Sequence, residues 1–189
     1  MVNPMKVRFL LFTGAFLLFT HLTLSQKMVK TKIAKEITMD IPENFTEMTR
    51  SEQRLKYVTS KEPIAMYTND YRTVDIGVNF ASTPWQGELS VLRDFYRSNT
   101  LALYDSINFL TDEIATINDR EFIIHEFEGF LFGKKDSFKG ERSLGKYIQV
   151  LYTLYGNKVI LFTISTPFRE KNRWQPIALE MRNSIKFKK

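Results

Sequence analysis

Residues able to do chemistry are few in this 189-residue chain, and each fits a reaction poorly. His125 is the only histidine after residue 25. It stands among Ile123, Ile124 and Phe127, so a general base would have to work from the middle of an apolar strand. A Ser-His-Asp triad would need this histidine, and no G-x-S-x-G elbow presents the serine. A histidine packed within a strand is the simpler account. Glu126 and Glu128 lie two apart, a spacing that puts both carboxylates on one strand face, where they could share a cation or act as an acid–base pair. Asp112-Glu113 is another acidic pair. A solvated strand face explains both without chemistry. Ser143-Leu144-Gly145-Lys146 matches S-x-x-K, but that pair works on one helical turn, and on a strand the two side chains point to opposite faces. The S-D-N and K-T-G partners are also missing. Gly140 to Tyr147 approaches the phosphate loop G-x-x-x-x-G-K-[ST]. Tyr147 replaces the magnesium-binding hydroxyl, and the segment runs into a strand instead of a helix N-terminus.

The chain has no cysteine, which excludes disulfides, a thiol nucleophile, thiolate zinc sites and the acylated cysteine of a bacterial lipoprotein. One histidine cannot build a multi-histidine zinc site, and no D-x-D-x-D-G calcium loop occurs. Asn44-Phe45-Thr46 is a glycosylation sequon of a kind that arises often by chance. No catalytic, cofactor-binding or metal-ligating residue is therefore assigned, and no cofactor is expected. Tyr147, Tyr152, Tyr155, Phe162, Trp174, Phe187, Trp85 and Tyr96 could line a ligand groove, but a twisted sheet uses the same residues to pack its helices.

The elements that would hold these residues begin after a leader. Lys6 and Arg8 precede an uncharged apolar run, Phe9–Leu24, and Thr23-Leu24-Ser25 offers a cleavage site. This is the pattern of a secretory signal peptide cut after Ser25. The run of 16 residues is shorter than the ~20 that a spanning helix needs. Loss of Lys6 and Arg8 lowers the formal charge from +6 to +4. The remaining excess lies in Lys27–Lys35, Lys134–Lys139 and Lys186–Lys189, at ends and in a loop, so nucleic acid is not an expected partner. The organisation expected is a signal peptide over 1–25, a flexible basic leader over 26–35 and a single domain over 36–189. Export without disulfides fits a bacterial periplasm or exterior.

The strongest pattern is Tyr147–Tyr155, Gly156-Asn157, then Lys158–Ser165: two long β-branched and aromatic arms around a turn, expected at the centre of a sheet. Ile64–Tyr67 and Val74–Phe80 form a second hairpin. In its second arm Val74, Ile76, Val78 and Phe80 alternate with Thr73, Asp75, Gly77 and Asn79. One strand is expected through Ile37, Met39 and Ile41, ending at Pro42. Ser51 is a candidate cap for a short helix. Glu88–Tyr104 has helical period, with Leu89, Leu92, Phe95, Tyr96 and Leu103 as the expected core stripe. Ile107–Leu110, Glu113–Ile117 and Glu121–Phe130 read as strands. Phe132–Ser143 is a polar, basic loop. A helix over Glu170–Ser184 buries Trp174, Ile177, Ala178 and Met181, with Pro176 placed near its first turn, and Ile185 and Phe187 add a short strand.

In this order the elements resemble the PsbP-like superfamily. That family includes the extrinsic PsbP protein of photosystem II, a Ran-binding nuclear-transport relative and the periplasmic DcrB lipoproteins. The likeness runs from Glu36 to Phe187. It rests on ITMDIPENF (Ile37–Phe45), VDIGVNF (Val74–Phe80), LSVLRDFYRSN (Leu89–Asn99), YTLYGNKVILFTISTP (Tyr152–Pro167) and NSIKF (Asn183–Phe187). It implies an α+β fold with a central antiparallel sheet flanked by helices on both faces, a three-layer αβα sandwich. It carries no catalytic residues. The function expected is non-enzymatic: an exported, periplasmic or secreted binding or adaptor domain for an envelope or extracellular protein. The alternative is a small-ligand or lipid carrier with a pocket between the sheet and the Leu89–Leu103 helix; a hydrolase built on His125 or Glu126 and Glu128 ranks last.

Overall fold

The computed structural model describes residues 26–57, 62–81, 84–133 and 143–188. The segment read as a signal peptide, 1–25, and most of the basic loop, 134–142, lie outside the described residues. In chain order the elements are β1 (Met28–Ala34), β2 (Ile37–Pro42), β3 (Phe45–Glu47), α1 (Arg50–Lys56), β4 (Ala65–Asn69), β5 (Asp75–Phe80), α2 (Leu89–Leu101), β6 (Ser106–Ile117), β7 (Arg120–Phe132), β8 (Ser143–Tyr155), β9 (Lys158–Pro167), α3 (Lys171–Ser184) and β10 (Lys186–Phe187). Seven strands form one sheet in the order β3-β4-β5-β9-β8-β7-β6, and β1-β2-β10 form a second. Neighbours in both sheets pair antiparallel. The fold is α+β.

The β8–β9 hairpin occupies the middle of the large sheet, as its residues require: its apolar arms suit strands covered on both sides. Gly156, at φ 63°, takes the left-handed position of its two-residue turn. Asn118 and Asp119 take positive φ, 46° and 67°, in the β6–β7 turn, where short polar side chains tolerate it.

Side chains of β7 and β8 alternate between two cores. Phe122, Ile124, Tyr147 and Leu151 join one with Trp174, Ala178 and Met181 of α3 and Ile37, Met39 and Ile41 of β2. Ile123, Phe127, Ile148, Val150 and Tyr152 join the other with Leu92 of α2. The Asp40 amide donates to Ser184 Oγ at 2.8 Å, tying the end of α3 to β2.

Several local expectations are corrected. The segment read as a flexible leader contains β1, which pairs with β2 along nearly its whole length. Its lysines alternate with Val29, Thr31 and Ile33, and such charge on a peripheral strand marks a protected edge as well as it marks a mobile tail. The cap of α1 is Thr49, not Ser51. Thr49 Oγ1 accepts from the Glu52 amide, and Glu52 Oε2 accepts from the Thr49 amide at 2.8 Å. That reciprocal box satisfies two otherwise orphaned amides, and these bonds hold the Glu52 carboxyl below its ordinary range. The two strands expected over 107–117 are one, β6, kinked by a bulge at Leu110. In α2 only Leu92 and Thr100 are buried, while Phe95 is 50% exposed and Leu103, two residues past the helix, 67%. The helix packs chiefly over β6 and β7, with Tyr96 stacked on Tyr152 of β8. Pro176 sits inside α3, five residues beyond its first residue. A 3-10 turn, Phe168–Glu170, precedes the helix, and the proline ring is exposed, so only one helical hydrogen bond is forgone.

Candidate functional site

His125 and Glu126 are consecutive residues of one strand and therefore face opposite cores. The residues singled out for chemistry do not converge.

His125 is fully buried beneath α2. Its Nε2 lies 3.5 Å from Asp112 Oδ1 on β6, without the alignment of a hydrogen bond, and neither ring nitrogen has a hydrogen-bond partner. Asp112 Oδ2 instead accepts from Arg97 Nε of α2 at 2.7 Å, and Arg93 Nε approaches Oδ1 at 3.7 Å. Tyr152 and Phe109 meet the imidazole edge to face. Burial pushes the imidazole below its ordinary range, Asp112 opposes that, and Arg93 and Arg97 reinforce it. The ring is an uncharged packing element under a helix held to Asp112 by arginines.

On the other face Glu126 is buried and accepts from Gln175 Nε2 at 2.5 Å, Tyr147 Oη at 3.1 Å and Thr111 Oγ1 at 3.2 Å. Glu128 accepts from Lys171 Nζ and Asn108 Nδ2. The Lys171 bond holds its carboxyl below the usual range. The two carboxylates do share a face, as their spacing implies, but α3 occupies it. They anchor the first turns of that helix. Lys146 and Tyr147 lie on β8, so the phosphate-loop and S-x-x-K patterns both end in a strand; Gly140 lies outside the described residues. Among the described residues no group of three or more potential ligands is placed to hold a metal.

The open site lies elsewhere, on the sheet face shared with α2. Because α2 packs chiefly over β6 and β7, a groove of about 330 Å3 is left over β4, β5, β9 and part of β8. Its floor follows the strand register. Met66 pairs with Gly77, Gly77 with Thr163, and Thr163 with Val150. The adjacent row is Asp75, Ser165, Ile148 and Phe127. Thr100, Leu103 and Tyr104 at the end of α2 form one wall, and Tyr57, just after α1, lines the groove beside Asp75. By contrast the cavity beneath α3, lined by Gln149, Met181 and Arg182 among others, measures about 10 Å3, no more than one water.

Two features give the groove its character. Gly77 leaves its floor bare. A Cβ there would meet Asn79 Nδ2 at 3.4 Å and Met66 Cε at 3.9 Å, ordinary contacts, so a longer side chain would enter the groove. Asp75, buried at one end, accepts from Lys56 Nζ at 2.7 Å and from the Tyr57 hydroxyl. Burial, then the bond to Asp75 and its charge, push the Tyr57 phenol well up, so it stays a donor. With Asp75 so neutralised, the exposed Lys146 sets the charge of the lining.

In the sequence Asp75, Gly77 and Asn79 stand out only as the polar side of a strand. A glycine in a strand interior, where backbone or ligand comes close, was the one signal of a site. Of the eight aromatics weighed as groove-lining, only Tyr152 lines it; Tyr147, Phe162 and Trp174 are core.

No protein-family model matches the chain, and no curated protein matches it by sequence. Solved structures do match in fold. The solution structure of cyanobacterial PsbP (CyanoP) from Synechocystis sp. PCC 6803 aligns with a TM-score of 0.57 at 12% identity, covering 86% of this chain and 93% of that one. The Ran-binding protein Mog1p of Saccharomyces cerevisiae aligns at 0.53 and 14% identity, covering 86% and 96%. LpqN of Mycobacterium tuberculosis, involved in cell envelope biogenesis, aligns at 0.53 and 8% identity, covering 86% and 91%. The chain has the PsbP-like fold, as the resemblance implied.

Proposed function

We propose that this chain is a non-enzymatic, exported binding domain whose recognition surface is the groove between the end of α2 and the β4-β5-β9-β8 half of the sheet. The observation that carries this is the asymmetry of the two helix–sheet interfaces: α3 closes its face, and α2 leaves a cavity of about 330 Å3 on the other. A volume in the range of small-molecule sites, ~300–1000 Å3, lined by apolar side chains and a few polar ones, is what a binding site requires. The groove lining holds no histidine and no carboxylate other than Asp75. The same reading takes the domain as a three-layer αβα sandwich, supported by the alternation of β7 and β8 side chains between the α2 and α3 cores. A fold also found in a Ran-binding protein and in a protein of cell envelope biogenesis suits a role in binding an envelope or extracellular partner.

The test is photocrosslinking in cells from a probe residue at Leu103, on the groove wall, against one at Leu179, exposed on α3. Adducts are expected from Leu103 and not from Leu179, and Gly77→Leu should abolish them. Equal yields from both positions, or adducts indifferent to Gly77→Leu, would place recognition elsewhere. Export is a separate expectation: the mature chain should begin at Gln26, read by intact mass, and a mass retaining residues 1–25 contradicts it. No helix among the described residues is long and apolar enough to cross a membrane.

A specific observation favours a second reading, a small-ligand or lipid carrier: the cavity lies between the sheet and α2, where such a carrier needs it.

A further inference from the structure

Resting on the groove being a binding site, we infer that its ligand is a single-chain amphipathic carboxylate, with the head group at Lys146 and the chain along Ile148 and Val150 beneath Leu103. The charge balance of the lining points this way. Asp75 is the acidic residue of the groove, and both of its oxygens are occupied, Oδ1 by Lys56 and Oδ2 by Tyr57. Lys146 is exposed at the mouth, on the same face of β8 as Ile148 and Val150. A cation at one end of an apolar track favours an anionic head over a cationic one, because an opposite charge there gains a charge-assisted hydrogen bond and a like charge is repelled. Ser165, which pairs across the ladder with Ile148, adds a hydroxyl donor near that end.

The tail has its own path. From Lys146 the floor runs to Ile148 and Val150, with Phe127 and Tyr104 to one side and Leu103 above. Thr163 and Gly77 continue that floor across the sheet. Gly77 lets a chain lie close against the strand backbone.

Isothermal titration of the purified mature chain separates the outcomes with three probes of one chain length: decanoate, decanol and decyltrimethylammonium. Decanoate is expected to bind about tenfold more tightly than decanol, the size of one charge-assisted hydrogen bond, and decyltrimethylammonium most weakly. Lys146→Gln should bring decanoate down to decanol, and high salt should shrink the gap. Gly77→Leu should remove binding of all three. Leu103→Asp, at an exposed position that does not threaten folding, should weaken decanoate most. Equal affinity for the three probes, or a preference untouched by Lys146→Gln, overturns the carboxylate assignment while leaving the groove as the site if Gly77→Leu still abolishes binding. Failure of all three to bind the wild-type chain overturns the assignment outright. If Leu103 crosslinks nevertheless persist and Gly77→Leu abolishes them, the groove reading survives that failure.

Discussion

Trp174→Ala is expected to lower the stability of the domain by about 3–5 kcal/mol, the usual cost of truncating a large buried aromatic. Trp174 has no exposed surface. Phe45 meets its ring edge to face at 5.4 Å, and its Nε1 donates to Glu170 Oε2 at 3.2 Å. The same face of α3 carries Ala178 and Met181, one and two turns on, in the core that β2 shares with β7, β8 and β9. Truncation leaves a void that neither sheet can fill without moving, because each is fixed by its own ladder. A domain of this size has ~5–15 kcal/mol in total, so the variant should unfold at a much lower urea midpoint with an unchanged slope. Far-UV circular dichroism gives that midpoint. A loss below about 0.5 kcal/mol, the range of surface substitutions, would mean that α3 does not pack as described.

Acidification should destabilise the domain through His125. The folded value lies below the ordinary 6.5, chiefly because burial disfavours the charged ring, with Arg93 and Arg97 adding to the effect and Asp112 and Asp94 opposing it. The unfolded chain therefore takes up the proton first as the pH falls. The stabilisation from a neutral buried ring is complete above 6.5 and is lost as the pH drops from there towards the folded value. The slope in that window approaches about 1.4 kcal/mol per pH unit. Protonation would also turn the ring into a competitor of Arg93 for Asp112 Oδ1, loosening one of the two arginine contacts that hold α2. Urea unfolding from about pH 7.5 to 5 should show this loss in the wild type and a flatter profile in His125→Met, which keeps an apolar side chain in the space. Parallel profiles would show that His125 does not carry the acid sensitivity.

The parts of the fold that were legible share one property: their signal lies within a few residues. The β8–β9 arms, the alternation of Val74, Ile76 and Val78, and the stripe Trp174, Ala178 and Met181 bury most of the side chains their periodicity marks, while Phe80 is exposed and Ile177 only half-buried. What was misread depended on a neighbour distant in sequence. The lysines of β1 look like a mobile tail until β2 pairs with them. Phe95 and Leu103 match the helical stripe as well as Leu92 does, and only the placement of α2 over β6 and β7 leaves them exposed. Thr49 was the exception. Its box with Glu52 is local, and Ser51 displaced it only because both are cap-forming residues.

Function divides along the same line. The sequence by itself determined that the chain lacks thiol, multi-histidine and nucleophile-elbow chemistry, since residue counts and motif spacing need no coordinates. It also carried the strand and helix order that marks the PsbP-like fold. Only the tertiary structure decided that His125 and Glu126 sit in separate interfaces, that α3 covers Glu126 and Glu128, and that Asp75, Gly77 and Lys146 line one groove. The physical reason is that alternation along a strand states which side chains share a face but not which helix covers it. Coverage is set by where α2 ends relative to a sheet whose strands come from opposite ends of the chain.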